Sequence, residues 1–198
     1  MTDSVRILHC ADLHLGASHI SLGPRSRARR TEFRNTFHRI TELAKKEEVN
    51  LLLVAGDLFD LPVVPEEVTE EVRDAFASLA PVKVAICSGN HDPATIDSPY
   101  TREDFWPDNV TVFNSAMKIV ELPETGVRLI GAGFSSTYCS HTQLRRVALP
   151  EDGLLNIGIM HGTVVPEGQG SEHNPITVRQ IENSGLDYLA EFIRNNQI

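Results

Sequence analysis

Leu51-Leu52-Leu53-Val54-Ala55-Gly56-Asp57-Leu58-Phe59-Asp60 is the stretch on which the fold turns. An apolar run of this length, closed by Gly and Asp, reads as a buried strand that stops abruptly in polar residues. The same switch occurs three more times. Val5 to Ala11 runs into Asp12-Leu13-His14, Val82 to Cys87 into Ser88-Gly89-Asn90-His91-Asp92, and Leu154 to Met160 into His161-Gly162. A layered α/β sheet carries its ligand groups just beyond the carboxyl ends of its strands. Four such junctions, each offering Asp, Asn or His, describe one metal site assembled from well-separated parts of the chain.

The chain has 198 residues, enough for one well-buried domain and too few for two generous ones. Its 41% hydrophobic and 23% charged residues are ordinary globular composition. No apolar run approaches the roughly 20 residues needed to cross a bilayer. Met1-Thr2-Asp3-Ser4 lacks the basic and apolar regions of a signal peptide, so the expected location is cytoplasmic. Cys10, Cys87 and Cys139 are odd in number and too far apart for a zinc-thiolate pair, which fits reduced thiols. Net charge is −9, which argues against a broad electrostatic clamp on nucleic acid. It leaves room for a nucleic-acid enzyme, because bound divalent metals invert the charge at the site.

Going outward from the decisive strand, the first half alternates strand and helix. Thr31 is the expected cap of a helix to Glu48, with Phe33, Phe37, Ile40, Leu43 and Ala44 on its apolar stripe. Pro65-Glu66-Glu67 opens a second helix whose core face is Val68, Val72, Phe76 and Leu79, and Pro81 ends it. The second half is richer in strands, predicted at Val110 to Phe113, Lys118 to Leu122, Val127 to Ala132 and Leu186 to Ala190. Short helices are expected at Arg102 to Trp106, His141 to Val147 and Ile176 to Asn183. The resulting class is α/β, sheet packed on sheet with helices outside.

Asp12 and His14 are two residues apart, so on an extended chain both point one way and can share an ion. Asp57 has two oxygens and can bridge two ions, Asn90 offers an amide oxygen, and His161 an imidazole nitrogen. Such mixed ligands suit manganese, iron or zinc better than calcium. Two divalent ions outweigh the charges of Asp12 and Asp57, leaving a surplus that suits a phosphate and a metal-bound hydroxide. Ions roughly 3.5–4 Å apart are a standard clamp for in-line displacement at phosphorus. His91, beside Asn90, is placed to protonate the leaving alkoxide, and Asp92 to orient His91. Taken singly, each motif is an ordinary turn, cap or core histidine. All four at strand ends are not. His9, His38, His141 and His173 read as structural, His19 as a candidate facing substrate, and Arg25 to Arg34 as a solvated helix start.

Asp12-x-His14, Gly56-Asp57-x-x-Asp60, Gly89-Asn90-His91-Asp92 and His161-Gly162 together resemble the calcineurin-like metallophosphoesterase superfamily. Ala11-Asp12-Leu13-His14-Leu15-Gly16, an arginine-bearing helix and Gly56-Asp57-Leu58-Phe59-Asp60 look like its DNA repair exonucleases of the SbcD type. The resemblance implies a four-layer α-β-β-α sandwich over residues 1–190 with two metal ions, manganese first and iron, zinc or magnesium as alternatives. Asp12 and His14 would bind one ion, Asn90 and His161 the other, and Asp57 both, with His91 the proton donor. It also implies phosphodiester hydrolysis on DNA ends, a coiled-coil ATPase partner of the SbcC type, a homodimer and no membrane. The family's final Gly-His-x-His does not follow Ala190; residues 191–198 read as an atypical tail of a truncated chain with an incomplete second sheet. Two alternatives share the motifs: a phosphatase or cyclic-nucleotide phosphodiesterase, and an inactive remnant that acts by binding alone.

Overall fold

The computed structural model describes residues 4–190. Its first sheet is parallel throughout and ordered β1 (Ile7–Cys10), β2 (Leu51–Ala55), β3 (Lys83–Cys87), β4 (Val110–Phe113). Every residue of β2 is buried, and its two-residue period sorts the molecule into layers. Leu52 and Val54 pack with Phe37, Ala44, Val72 and Phe76 from the helices on one side. Leu51, Leu53 and Ala55 pack with Val127, Leu129, Ile157 and Ile159 on the other. Those four belong to β6 (Val127–Gly131) and β7 (Leu155–Ile159) of a second sheet, in which β5 (Lys118–Leu122) runs antiparallel to β6. Two short strands, β8 (Thr163–Val164) and β9 (Pro175–Ile176), pair with each other outside both sheets. β10 (Tyr188–Ala190) returns beside β7, completing the order β10-β7-β6-β5.

α1 (Ser26–Lys46) and α2 (Glu66–Ala77) cover the first sheet. α2 starts after Pro65 with Glu66 and Glu67 in its first turn, as expected. α1 begins five residues before the expected Thr31. The Ser26 hydroxyl donates to the carbonyls of Gly23, within the 3-10 turn Ile20–Arg25, and of His19, which caps that turn, and this launches the helix earlier. Thr31 is then interior, and its hydroxyl donates to the Arg27 carbonyl. Leu43 is not a core residue: it is 41% exposed, while Thr41 takes a buried place on the stripe.

Two of the short helices expected from the sequence do not form. At 102–106 the chain makes no helix; a 3-10 turn at Pro99–Thr101 precedes it, and the Trp106 ring lies on Tyr100 with its Nε1 donating to the Pro99 carbonyl. At 141–147 the backbone stays irregular, because the Gln143 N–H donates to the Asn174 side chain and its amide to the Gly133 carbonyl. Ile176 lies in β9 rather than in a helix. The helix α3 (Val178–Glu182) starts only after Thr177, whose hydroxyl forms a capping box with Gln180. Leu144, Met160 and Ile176 pack with Ile181, Leu186 and Leu189 against the outer face of the second sheet. The layers are therefore helix, sheet, sheet, and a thin outer layer of α3 and loops. The expected tail, 191–198, and with it the expected incompleteness of the second sheet, lies outside the described residues. Among the described residues, no helix is long and apolar enough to cross a membrane.

This packing separates two leucines. Leu53→Ala, at 0% exposure between the sheets, is expected to cost roughly 2–5 kcal/mol of unfolding free energy. Leu43→Ala is expected to stay within about 0.5 kcal/mol. Urea denaturation of both variants measures the difference, and equal losses would contradict the assigned layers.

Candidate metal centre

The loops that follow β1 and β2 are joined side by side before any side chain is considered. Asp12 N donates to Gly56 O (3.2 Å), His14 N to Asp57 O (3.0 Å), Leu15 N to Leu58 O (2.9 Å) and Asp60 N to Leu15 O (3.1 Å). Asp12, His14 and Asp57 all adopt positive φ, at 54°, 45° and 49°. Such backbone is uncommon outside glycine, is tolerated by Asp and His, and concentrates at functional sites. Asp12 and His14 thus converge through left-handed turns and not, as the two-residue spacing suggested, along an extended strand. His14 Nε2 lies 3.6 Å from Asp12 Oδ1 and 3.9 Å from Asp57 Oδ2, while its Nδ1 lies 3.3 Å from Asp60 Oδ1.

Two glycines let the other loops close on Asp57. A Cβ on Gly89 would stand 2.1 Å from Asp57 Oδ1, and one on Gly56 would stand 2.4 Å from the His161 Cβ. With neither present, the His91 N–H donates to Asp57 Oδ1 (3.0 Å), and His161 Nε2 reaches 3.4 Å from Asp57 Oδ2 and 3.1 Å from Asn90 Oδ1. His161 Nδ1 lies 3.0 Å from the Ala55 carbonyl, which accepts its N–H and so leaves Nε2 as the ligating nitrogen. The Asn174 side chain, 0% exposed, donates to the His161 carbonyl (2.7 Å) and fixes that residue from behind.

Among the described residues, Asp12, Asp57 and His161 form one group of ligating atoms mutually within 4.8 Å, and His14, Asp60 and His91 form another. Asp12 Oδ2 is buried without a hydrogen-bond partner. A buried, unpartnered carboxylate oxygen beside a second, almost fully buried carboxylate is costly unless a cation joins them. The oxygen and imidazole set therefore fits divalent metal ions.

The metal-free electrostatics follow from the same contacts. Burial works against a charged His161, but the hydrogen bond and charge of Asp57, helped by the Ala55 carbonyl, outweigh it and raise the imidazole to about 9. Burial likewise works against an ionised Asp57, and His161 with the His91 N–H brings it below its ordinary value. His14 is raised, first by its interaction with Asp12.

Asp92 departs from its expected role. Its carboxylate accepts from the Phe59 N–H (2.9 Å), the Gly89 N–H (2.7 Å) and the Tyr100 hydroxyl (2.6 Å), and the His91 ring is not among these partners. It ties the loop after β3 to the loop after β2. Burial, then the charge of Asp57, push it up to about 7. His91 is exposed, its ring edge-on to His14 at 4.7 Å. His19 packs its ring against Phe33 at 4.9 Å and belongs to neither group of ligating atoms. Two residues that the sequence reading left out of the site, His173 among those it took as structural, belong here. Asp60 supports His14, and its place in the same Gly-Asp loop as Asp57 was the available signal. His173 lines the pocket with Asp12, Asp57, Asn90 and His161, and no local motif marks it.

Comparisons with known proteins identify a family. The family model of the calcineurin-like phosphoesterases matches residues 5–190. An uncharacterized metallophosphoesterase of Bacillus subtilis, YhaO, is 28% identical over 96% of this chain and 48% of its own length. The DNA double-strand break repair protein Mre11 of Aeropyrum pernix is 32% identical over 46% of this chain and 22% of its own. One of the subunits of the nuclease SbcCD of Bacillus subtilis is 30% identical over 50% of this chain and 26% of its own. The chain thus spans about half the length, or less, of these relatives.

Because His161 holds a proton until about pH 9, a cation must displace it. Manganese titration at pH 7, by calorimetry in buffers of different ionisation enthalpy, is expected to release about one proton per chain from this group. Release should fade and apparent affinity rise as the pH is raised through about 9. Release that is independent of pH would contradict the assignment of His161 as a ligand.

Proposed function

Because the chain belongs to the calcineurin-like phosphoesterase family, we propose that it is a binuclear, metal-dependent phosphodiesterase acting on DNA ends. The observation that carries this reading is the position of Asp57. Its Oδ2 lies 3.9 Å from His14 Nε2 and 3.4 Å from His161 Nε2, so one buried carboxylate faces both halves of the site. Asp12 and His14 would hold one cation and Asn90 and His161 the other, with the Asp57 carboxylate shared between them. Divalent cations, manganese first, supply when bound the charge that neutralises phosphoryl oxygens and activates water.

The chain's own residues do the rest. His91, exposed beside His14, hands a proton to the leaving oxygen. Asp92 is a positioning residue: it fixes the Gly89 end of the turn that carries Asn90 and His91. Asp60 orients His14 from its far side. The groove beside Asp12 is lined by Leu13, Arg29, Glu32, Phe33 and Thr36, and the Arg29 guanidinium there is paired with Glu32 at 2.7 Å. The likeness to Mre11 and to a component of SbcCD supports DNA as substrate. Assembly with an SbcC-type ATPase and with a second copy extends the same reading.

The test is turnover of bis(4-nitrophenyl) phosphate and of linear duplex DNA in manganese. His91→Gln is expected to lower kcat by about 100- to 10,000-fold while still binding manganese, and Asp57→Ala to abolish turnover. Brisk hydrolysis of 4-nitrophenyl phosphate with no cleavage of DNA would replace the nuclease by a phosphatase.

A further inference from the structure

His173 is an imidazole on the pocket wall to which the proposed catalysis gives no task. It lines the pocket alongside Asp12, Asp57, Asn90, His161, Gly162 and Thr163. It is nevertheless in neither group of ligating atoms that lie mutually within 4.8 Å. Its Nδ1 is buried and has no hydrogen-bond partner. A buried imidazole nitrogen without a partner is costly, and this ring borders the polar pocket shared by Asp12, Asp57, Asn90 and His161. Standing outside the cation cluster, it suits an oxygen of whatever anion the cations hold.

A second ring extends the feature outward. Tyr138 stacks on His173 with centroids 6.0 Å apart and planes at 18°. It is 65% exposed, so its outer face is open to solvent. The pair is tied to the site through the backbone. The Cys139 N–H donates to the Glu172 carbonyl (2.7 Å), the Asn174 N–H to the Cys139 carbonyl (2.6 Å), and Asn174 holds the His161 carbonyl (2.7 Å). Both rings are thus held in register with a metal-ligating histidine. An imidazole at the phosphate and an exposed aromatic face beside it are the two elements that hold a nucleotide: one hydrogen-bonds the phosphoryl oxygen, and the other stacks on the base.

We propose that His173 and Tyr138 form a nucleotide clamp, in which His173 binds a non-bridging oxygen of the phosphate and Tyr138 stacks on the adjoining base. This rests on the phosphodiesterase reading and adds its substrate class: a strand end with an accessible, unstacked base rather than a bare phosphoester. Stacking on an aromatic side chain tolerates every base, so the clamp selects for a nucleoside and not for sequence.

The experiment uses the manganese-loaded chain and two probes, inorganic phosphate and thymidine 5′-monophosphate, with binding read by calorimetry. Wild type should bind the nucleotide at least about 10-fold more tightly than phosphate. Tyr138→Ala should erase that preference, and Tyr138→Phe, which keeps the ring, should restore it. His173→Gln should weaken both probes while manganese stoichiometry and the thermal midpoint stay at wild-type values. Equal affinity of wild type for the two probes, or unaltered binding in Tyr138→Ala and His173→Gln, overturns the clamp. Diester turnover by the wild type is measured alongside. If turnover is missing while the probe pattern holds, the catalytic reading falls and the clamp stands; if turnover is present and the pattern is missing, only the clamp falls.

Discussion

An ionised carboxylate buried to 2% exposure is the constraint that organises this molecule. Asp57 cannot stay charged there unless its neighbours compensate it. The His91 N–H, the His161 imidazole and the nearby His14 do so in the metal-free protein. Each arrives from a different strand end, so the site exists only when both sheets are stacked in register. Gly56 and Gly89 are the enabling residues, since any side chain at either would collide with His161 or with Asp57 itself. Core and site are coupled through β2, whose two faces pack the helices and the second sheet while its carboxyl end carries Asp57.

The parts of this arrangement that were legible in the sequence are those set by short-range chemistry. Apolar runs ending in Gly-Asp, Gly-Asn-His and Asp-x-His predicted buried strands with ligands at their ends, and the structure brings Asp12, His14, Asp57, Asn90 and His161 together. The misplaced elements fail for a different reason. The helices expected at 102–106 and 141–147 have passable local patterns, but Trp106 is drawn onto Tyr100, and Gln143 is held by Asn174 from 31 residues away. The true start of α1 depends on the Ser26 hydroxyl reaching back to two carbonyls, a contact invisible to periodicity. Asp92 was assigned from adjacency to His91, whereas its partners Phe59, Gly89 and Tyr100 are set by the packing of two loops.

The same distinction applies to the outer wall of the pocket. His173 carries no motif, and it reaches the site because β8 and β9 pair and Asn174 ties the segment to His161. Side chain to backbone hydrogen bonds from buried Asn174 and Asp92 hold loops that regular secondary structure does not reach. Loops held this way on rigid strands can carry chemistry without drifting by the ångström that positioning of a phosphate would not tolerate.

The central claim is that four separated strand ends build one site that divides around Asp57. Manganese stoichiometry, measured by equilibrium titration of the wild-type chain and of Asp57→Ala, tests it most directly. The account predicts two ions per chain in the wild type and loss of tight binding at both positions when Asp57 is removed, because both halves of the site face that carboxylate. One tightly bound ion that persists unchanged in Asp57→Ala would contradict it.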